Sequence, residues 1–307
     1  MATEVQPEFT KLLTGLMGAE GPVFDNEGSM YMVAPEVENS GGYAGQILKI
    51  DLENQTSTVL CSPSVDGYGG IPAGCQADKE GNIMVADMRL GILKVQPNGT
   101  FSQVCQKDNE GLVMQGCNDC SYDYHGNLWL TAPAGSIAPN PYTRSMEESF
   151  GSVYCLTTDG TVKRVATGIR FPNGIAVQHS SDGTPLKVIV AETPTKLLWG
   201  FDIHEKTNLK NKTQWGKMPG VLEGGADGMD FDEAGNLLVA HWGSGHVEVF
   251  GTSGGDPIKR IKCPFERPSN IHFKPKSKTV YITEHDSHAL WKFDWENRGK
   301  AQFCETP

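Results

Sequence analysis

Gly224-Gly225-Ala226-Asp227-Gly228-Met229-Asp230-Phe231-Asp232-Glu233-Ala234-Gly235-Asn236 places two acids, Asp227 and Asp230, ahead of a Phe and an Asp-x-x-Gly-Asn turn. The apolar run Leu237-Leu238-Val239-Ala240 follows. The order reads as loop, strand, tight hairpin turn, strand. The turn needs Gly because one of its residues takes φ > 0. A hairpin does not need the two acids before it. Taken alone they could be solvated loop carboxylates. The unit recurs, however, and recurrence gives them another meaning.

The first copy is Gly18–Gly28 with Met30-Tyr31-Met32-Val33-Ala34. The second is Pro72–Asn82 with Ile83-Met84-Val85-Ala86. The third is Gly116–Asn127 with Leu128-Trp129-Leu130-Thr131. The fourth runs from Phe171–Val177 through Ser181-Asp182-Gly183 to Leu186–Ala191. The opening stretch is the fifth, and Pro268–Phe273 with Thr279–Thr283 is the sixth. Intervals of roughly 40–60 residues are those of propeller blades. Each copy is followed by further strand-like runs, such as Gln46–Ile50, Leu197–Phe201 and Ala289–Phe293. Four short strands per unit and no amphipathic helix predict an all-β chain. The expected architecture is a six-bladed β-propeller, with four-stranded antiparallel blades around a central tunnel, formed by residues 1–307 as one domain. The sixth copy ends short of a full blade, so closure is expected to borrow a strand from the N-terminal segment, near Phe9–Leu13.

Composition agrees. The 307 residues include 36 Gly and 18 Pro, favouring many short strands and turns. A net charge of −11 argues against nucleic acid or an anionic membrane as partner. No run approaches the ~20 apolar residues of a membrane span. The acidic start Met1–Glu8 lacks a signal-like apolar region, so a cytoplasmic location is expected. The eight cysteines are then expected to be reduced. Cys117-Asn118-Asp119-Cys120 has no second CxxC to complete a zinc site and is read as packing.

Registered on their turns, the six copies align two columns. The position before each first strand reads Glu20, Ala73, Asn118, Asn173, Asp227, Ser269; three residues on it reads Val23, Gln76, Ser121, Ala176, Asp230, His272. Inner strands line a propeller's tunnel, so each column becomes a ring. Two carboxylates and two amide carbonyls in the first ring are hard oxygen donors suited to Ca²⁺. In the second ring Asp230 and His272, with the Ile271 carbonyl, form either a further cation site or a buried ion pair. Positions three apart point to opposite faces of an ideal strand. The first-ring residue is therefore expected in the loop before the strand. Asp230-Phe231-Asp232 is not an EF-hand, since Ala234 stands at the fifth loop position.

Met114–Cys120, Phe171–Val177, Ala191–Lys196, Gly224–Asp232 and Pro268–Phe273 together resemble the diisopropyl fluorophosphatases, calcium-dependent phosphotriesterases built as six-bladed propellers. The likeness runs over nearly the whole chain. More distantly the chain resembles the gluconolactonase, regucalcin and paraoxonase group. The resemblance implies a catalytic Ca²⁺ held by Glu20, Asn118, Asn173 and Asp227. It implies a second, structural Ca²⁺ held by Asp230, His272 and the Ile271 carbonyl. The implied substrate wall is Glu36, Ile71, Met88, Tyr142, Arg144, Met146, Phe171, Thr193, Trp242, Ser269 and His285. The implied partner is a small organophosphorus triester or fluoridate, bound by a monomer.

Two mechanisms fit these residues. Asp227 attacks phosphorus and water then hydrolyses the phosphoenzyme, or an activated water attacks directly. His285 is read as a general base or as a wall residue packed on Trp242. No Gly-x-Ser-x-Gly elbow, phosphate loop or dinucleotide fingerprint competes. The alternative readings are a Ca²⁺-dependent lactonase, whose metal would polarise a lactone carbonyl, and a non-catalytic binding propeller stabilised by calcium.

Overall fold

Asp-x-x-Gly-Asn explains itself at the hairpins. In the computed structural model, which describes residues 2–114, 116–133 and 145–306, the Asp25 carboxylate accepts the N–H groups of Glu27 and Ser29 at 3.0 and 2.8 Å. Asp78, Asp108 and Asp123 accept the equivalent pairs in their turns. Asn127 and Asn236 add side-chain bonds to Asp123 and Asp232 at 2.9 and 2.8 Å. Each turn therefore holds its own backbone donors, as Asx turns do.

These hairpins build six blades, five of four strands and one of five. Blade 1 is Glu20–Phe24, Met30–Ala34, Gln46–Asp51 and Thr56–Cys61. Blade 2 is Pro72–Ala77, Ile83–Asp87, Gly91–Val95 and Phe101–Cys105. Blade 3 is Cys120–Tyr122, Leu128–Ala132, Gly151–Leu156 and Val162–Ile169. Blade 4 is Pro172–His179, Pro185–Glu192, Leu197–His204 and Asn208–Lys217. Blade 5 is Gly225–Phe231, Leu237–Trp242, His246–Phe250 and Lys259–Lys262. Blade 6 takes Pro268–Phe273, Thr279–Glu284 and Ala289–Asp294 from the end of the chain. Its outer strand is Thr10–Leu13, antiparallel to Ala289–Asp294 with Thr10 opposite Lys292. The borrowed strand is thus where the sequence placed it. Thr3–Val5 adds something the sequence did not announce, a parallel fifth strand beside Lys259–Lys262.

Apolar clusters fill every seam between blades. Val23, Tyr31 and Ile47 meet Cys75, Ile83 and Val85 between blades 1 and 2. The last seam, between blades 6 and 1, joins Tyr281 and Leu290 to Phe24 and Met30. The seams bury the sheet faces and leave each blade only a short outer edge, such as Thr56–Cys61. All eight cysteines are free, and burial pushes the Cys117 thiol up to about 12, so it is a packed thiol and not a nucleophile. No described helix is long and apolar enough to cross a membrane.

Phe9 anchors the N-terminal strand, with its ring centroid 4.8 Å from that of Phe293 and 5.9 Å from that of Phe265. Phe9→Ala should therefore weaken blade closure by about 2 kcal/mol or more in urea unfolding. An unchanged midpoint and slope would show that the strand contributes nothing to the ring.

Candidate active site

The ring residues reach the tunnel by a local irregularity, not from a loop. Glu20, Asn173 and Asp227 lie within inner strands, and only Asn118 precedes its strand. The pairing of each of these strands slips at the same place, between Glu20 and Val23, Pro172 and Ile175, and Ala226 and Met229. Blade 6 slips between Pro268 and Ile271. A β-bulge inserts one residue, so positions three apart regain a common face. This corrects the expectation of a pre-strand loop, which assumed an unbroken pleat.

Glu20, Asn118, Asn173 and Asp227 line one cavity of about 720 Å³, within the size range of small-molecule sites. Glu36, Met88, Met146, Phe171, Thr193, Trp242 and His285 line it too. Ile71 is buried behind this wall, packed on Met88. Ser269 is also fully buried, its hydroxyl donating to the Ala19 carbonyl at 2.9 Å and pairing with Thr283 at 2.8 Å. Tyr142 and Arg144 lie outside the described residues. Phe171 holds φ +42°, a strained conformation for an aromatic residue, at the cavity wall.

Asp119 is the residue the two-ring reading passed over. The column one place after the first ring reads Gly21, Gly74, Asp119, Gly174, Gly228, Asn270. The glycines are there for space: a Cβ on Gly174 would sit 2.0 Å from the Asp227 carbonyl oxygen. Four glycines and two polar residues in one aligned column were the available signal. Asp119 and Asn270 hydrogen-bond to one another, and Asp119 also accepts the Cys120 N–H at 2.8 Å.

Three carboxylates now share the axis. Burial, then the charges of Asp227 and Asp119, hold Glu20 well above the usual carboxylate range. Burial and the Asp119 charge do the same to Asp227, against a hydrogen bond from Asn173. Asp119 itself is pushed up to about 7 by burial. No Lys or Arg among the described residues forms an ion pair with any of the three. His285 Nε2 lies 3.6 Å from Glu20 Oε1, too long for a hydrogen bond. Burial holds this imidazole below its ordinary range, hence neutral. Its Nδ1 accepts the Trp242 indole N–H at 3.1 Å, so the proton sits on Nε2 and faces Glu20. Neither nitrogen offers a free lone pair, which sets His285 against the general-base reading.

A smaller cavity of about 40 Å³ lies along the tunnel between Asp119, Asp230, Asn270, His272 and the C-terminal segment. Asp230 Oδ2 is 3.5 Å from His272 Nδ1, and His272 Nε2 is buried with no partner among the described residues. The backbone of Phe231 and Phe273 donates to Asp230 at 2.8 and 3.0 Å. Gln302, from the tail, adds its amide at 3.0 Å. That contact was not foreseen, because nothing near Gln302 in sequence marks a tunnel residue.

Among the described residues no three of His, Cys, Asp and Glu converge as a ready-made metal cluster. The set in the larger cavity is mixed, two carboxylates with two amides, and has no Lys or Arg counterion among the described residues. Such a donor set fits a hard divalent cation.

Residues 18–286 match the family described as SMP-30/Gluconolactonase/LRE-like region. The chain belongs to this family. Within it, the diisopropyl-fluorophosphatase of Loligo vulgaris is 61% identical over 98% of this chain and 96% of its own length. The gluconolactonase of Zymomonas mobilis is 26% identical over 91% of this chain and 80% of its own length. The solved regucalcin of Agrobacterium tumefaciens, a calcium-binding protein, superposes with a TM-score of 0.77 at 19% identity, covering 98% of both chains. That structure shares the propeller fold of this family member.

Acids with raised folded-state pKa values keep protons that the unfolded chain loses, so they cost stability as pH rises from the usual carboxylate range through about 7 for Asp119. The buried histidines His272 and His285 have lowered values and cost stability as pH falls below the unfolded imidazole range. A cation must displace the acids' protons. The rise in melting temperature on adding Ca²⁺ should therefore grow from pH 5 to pH 8, measured by calorimetry. A pH-independent increment would show that these carboxylates do not take the ion.

Proposed function

We propose that this protein is a calcium-dependent hydrolase of the diisopropyl-fluorophosphatase type, which cleaves the P–F bond of organophosphorus fluoridates. One observation carries the reading: 61% identity to the diisopropyl-fluorophosphatase of Loligo vulgaris across 98% of the chain. The oxygen-lined cavity supports it, with Glu20, Asn118, Asn173 and Asp227 as the residues that would hold the catalytic Ca²⁺. Asp230, His272 and the Ile271 carbonyl would hold a second, structural Ca²⁺, supported by the buried, unpartnered Nε2 of His272, whose Nδ1 lies 3.5 Å from Asp230. When bound, the catalytic Ca²⁺ supplies Lewis acidity toward the phosphoryl oxygen.

The chain's own residues do the rest. The Asn173 amide hydrogen-bonds to Asp227 and favours its ionised, nucleophilic form. In one route Asp227 attacks phosphorus: a P–O bond forms, the P–F bond breaks and fluoride leaves. Water then hydrolyses the acyl phosphate, restoring the carboxylate and releasing the phosphodiester anion and two protons. In the other, Asp227 takes the proton of an attacking water and fluoride leaves in the same displacement. Met88, Phe171 and Trp242 give the cavity the apolar wall that ester groups would pack on. His285 orients rather than deprotonates, through its bond with Trp242.

Fluoride release from diisopropyl fluorophosphate is the test, with Ca²⁺ content measured alongside. Wild type should lose turnover on chelation and regain it with Ca²⁺. Asp227→Asn should lose at least about 10²-fold in kcat even when it retains metal. A Ca²⁺-loaded wild type that releases no fluoride but opens a lactone would move the assignment to the lactonases of the same family. His285→Asn should stay within about tenfold of wild type, since loss of a general base typically costs 10²–10⁴-fold.

A further inference from the structure

At the cavity mouth the chain runs through Pro219-Gly220-Val221-Leu222-Glu223-Gly224 without regular structure. Its two ends are built differently. Gly224 has φ +93°, a Cβ there would lie 2.1 Å from the Trp242 carbonyl oxygen, and its own carbonyl accepts Lys196 Nζ at 2.8 Å. That end is clamped. Gly220 has φ +83°, but a Cβ there would meet nothing within 4 Å. Between them, no backbone N–H of residues 220–223 is hydrogen-bonded among the described residues. The segment is a strap between the buried Met218, whose N–H donates to the Lys196 carbonyl at 2.8 Å, and Gly224.

Val221 is 98% exposed and Leu222 61%, yet both line the 720 Å³ cavity. Among the large apolar side chains that the described surface exposes, Met146 is the other one that lines it. Three apolar groups in water therefore border the opening whose interior holds Glu20, Asn118, Asn173 and Asp227. Solitary exposed apolar residues need no explanation, but a set gathered at a ligand cavity does. A fluoridate places its polar P=O and P–F groups against the oxygen-rich interior. Its ester alkyl groups are the part left to meet the mouth, and burial of apolar surface favours that contact in proportion to area.

We propose that Val221 and Leu222 are specificity-determining residues that pack on the ester alkyl groups of bound substrate, so that branched alkyl fluoridates are preferred over methyl ones. This rests on the P–F hydrolase reading above. The experiment compares kcat/KM for fluoride release from diisopropyl and dimethyl fluorophosphate by the Ca²⁺-loaded full chain. In Val221→Ser/Leu222→Ser the diisopropyl-to-dimethyl ratio should fall about five- to twenty-fold, mainly through KM for the diisopropyl ester. The melting temperature should hold, because both side chains are exposed. Val221→Ile/Leu222→Met should keep the ratio. An unchanged ratio, or an equal loss on both esters, overturns the assignment while leaving the hydrolase reading intact. A wild type that turns over neither ester removes that reading, and the specificity role with it.

Discussion

Glu20, Asp119 and Asp227 repel one another on the tunnel axis, and no basic side chain among the described residues neutralises them. Each alone would be an ordinary loop acid. Together, in a low-dielectric interior, they either hold protons or hold a cation. The fold supplies the rigidity that makes this choice unavoidable. Six apolar seams close the ring, so the acids cannot relax outward without opening a blade. The ring thereby keeps the three acids close to one another.

The same crowding explains the irregularities around the axis. Inner strands converge so tightly that Gly174 and Gly228 have no room for a Cβ, each facing atoms of the next blade at 2.0–2.1 Å. Asp119 and Asn270 occupy the two places in that column where a side chain is present. The bulges at Glu20, Pro172, Ala226 and Pro268 then turn the preceding position toward the larger cavity. Two cavities of unequal size, with Asp119 against both sets of acids, are the result.

Much of this was legible in the chain. The Asp-x-x-Gly-Asn hairpins are local, because Asp78 or Asp123 binds backbone donors within four residues of itself. Their spacing gave the blade count, and the incomplete sixth copy pointed to Phe9–Leu13 as the missing strand. The convergence of Glu20, Asn118, Asn173 and Asp227 followed from their alignment. The wall was read less completely. Ile71 and Ser269 sit behind it, since strand parity alone does not say which of two adjacent residues faces the opening. Gln302 and the parallel strand Thr3–Val5 had no local pattern to announce them.

The sequence by itself determined the hairpins, the number of blades and the residue types that would meet on the axis. Turn chemistry and side-chain alternation act over a few residues, and the repeat multiplies them. Tertiary structure decided how those residues face one another. Bulges form where neighbouring strands crowd, pKa values rise where distant acids are buried together, and the proton of His285 is placed by Trp242, 43 positions away in the chain. These are non-local effects, set by ring closure, and no window of sequence contains them.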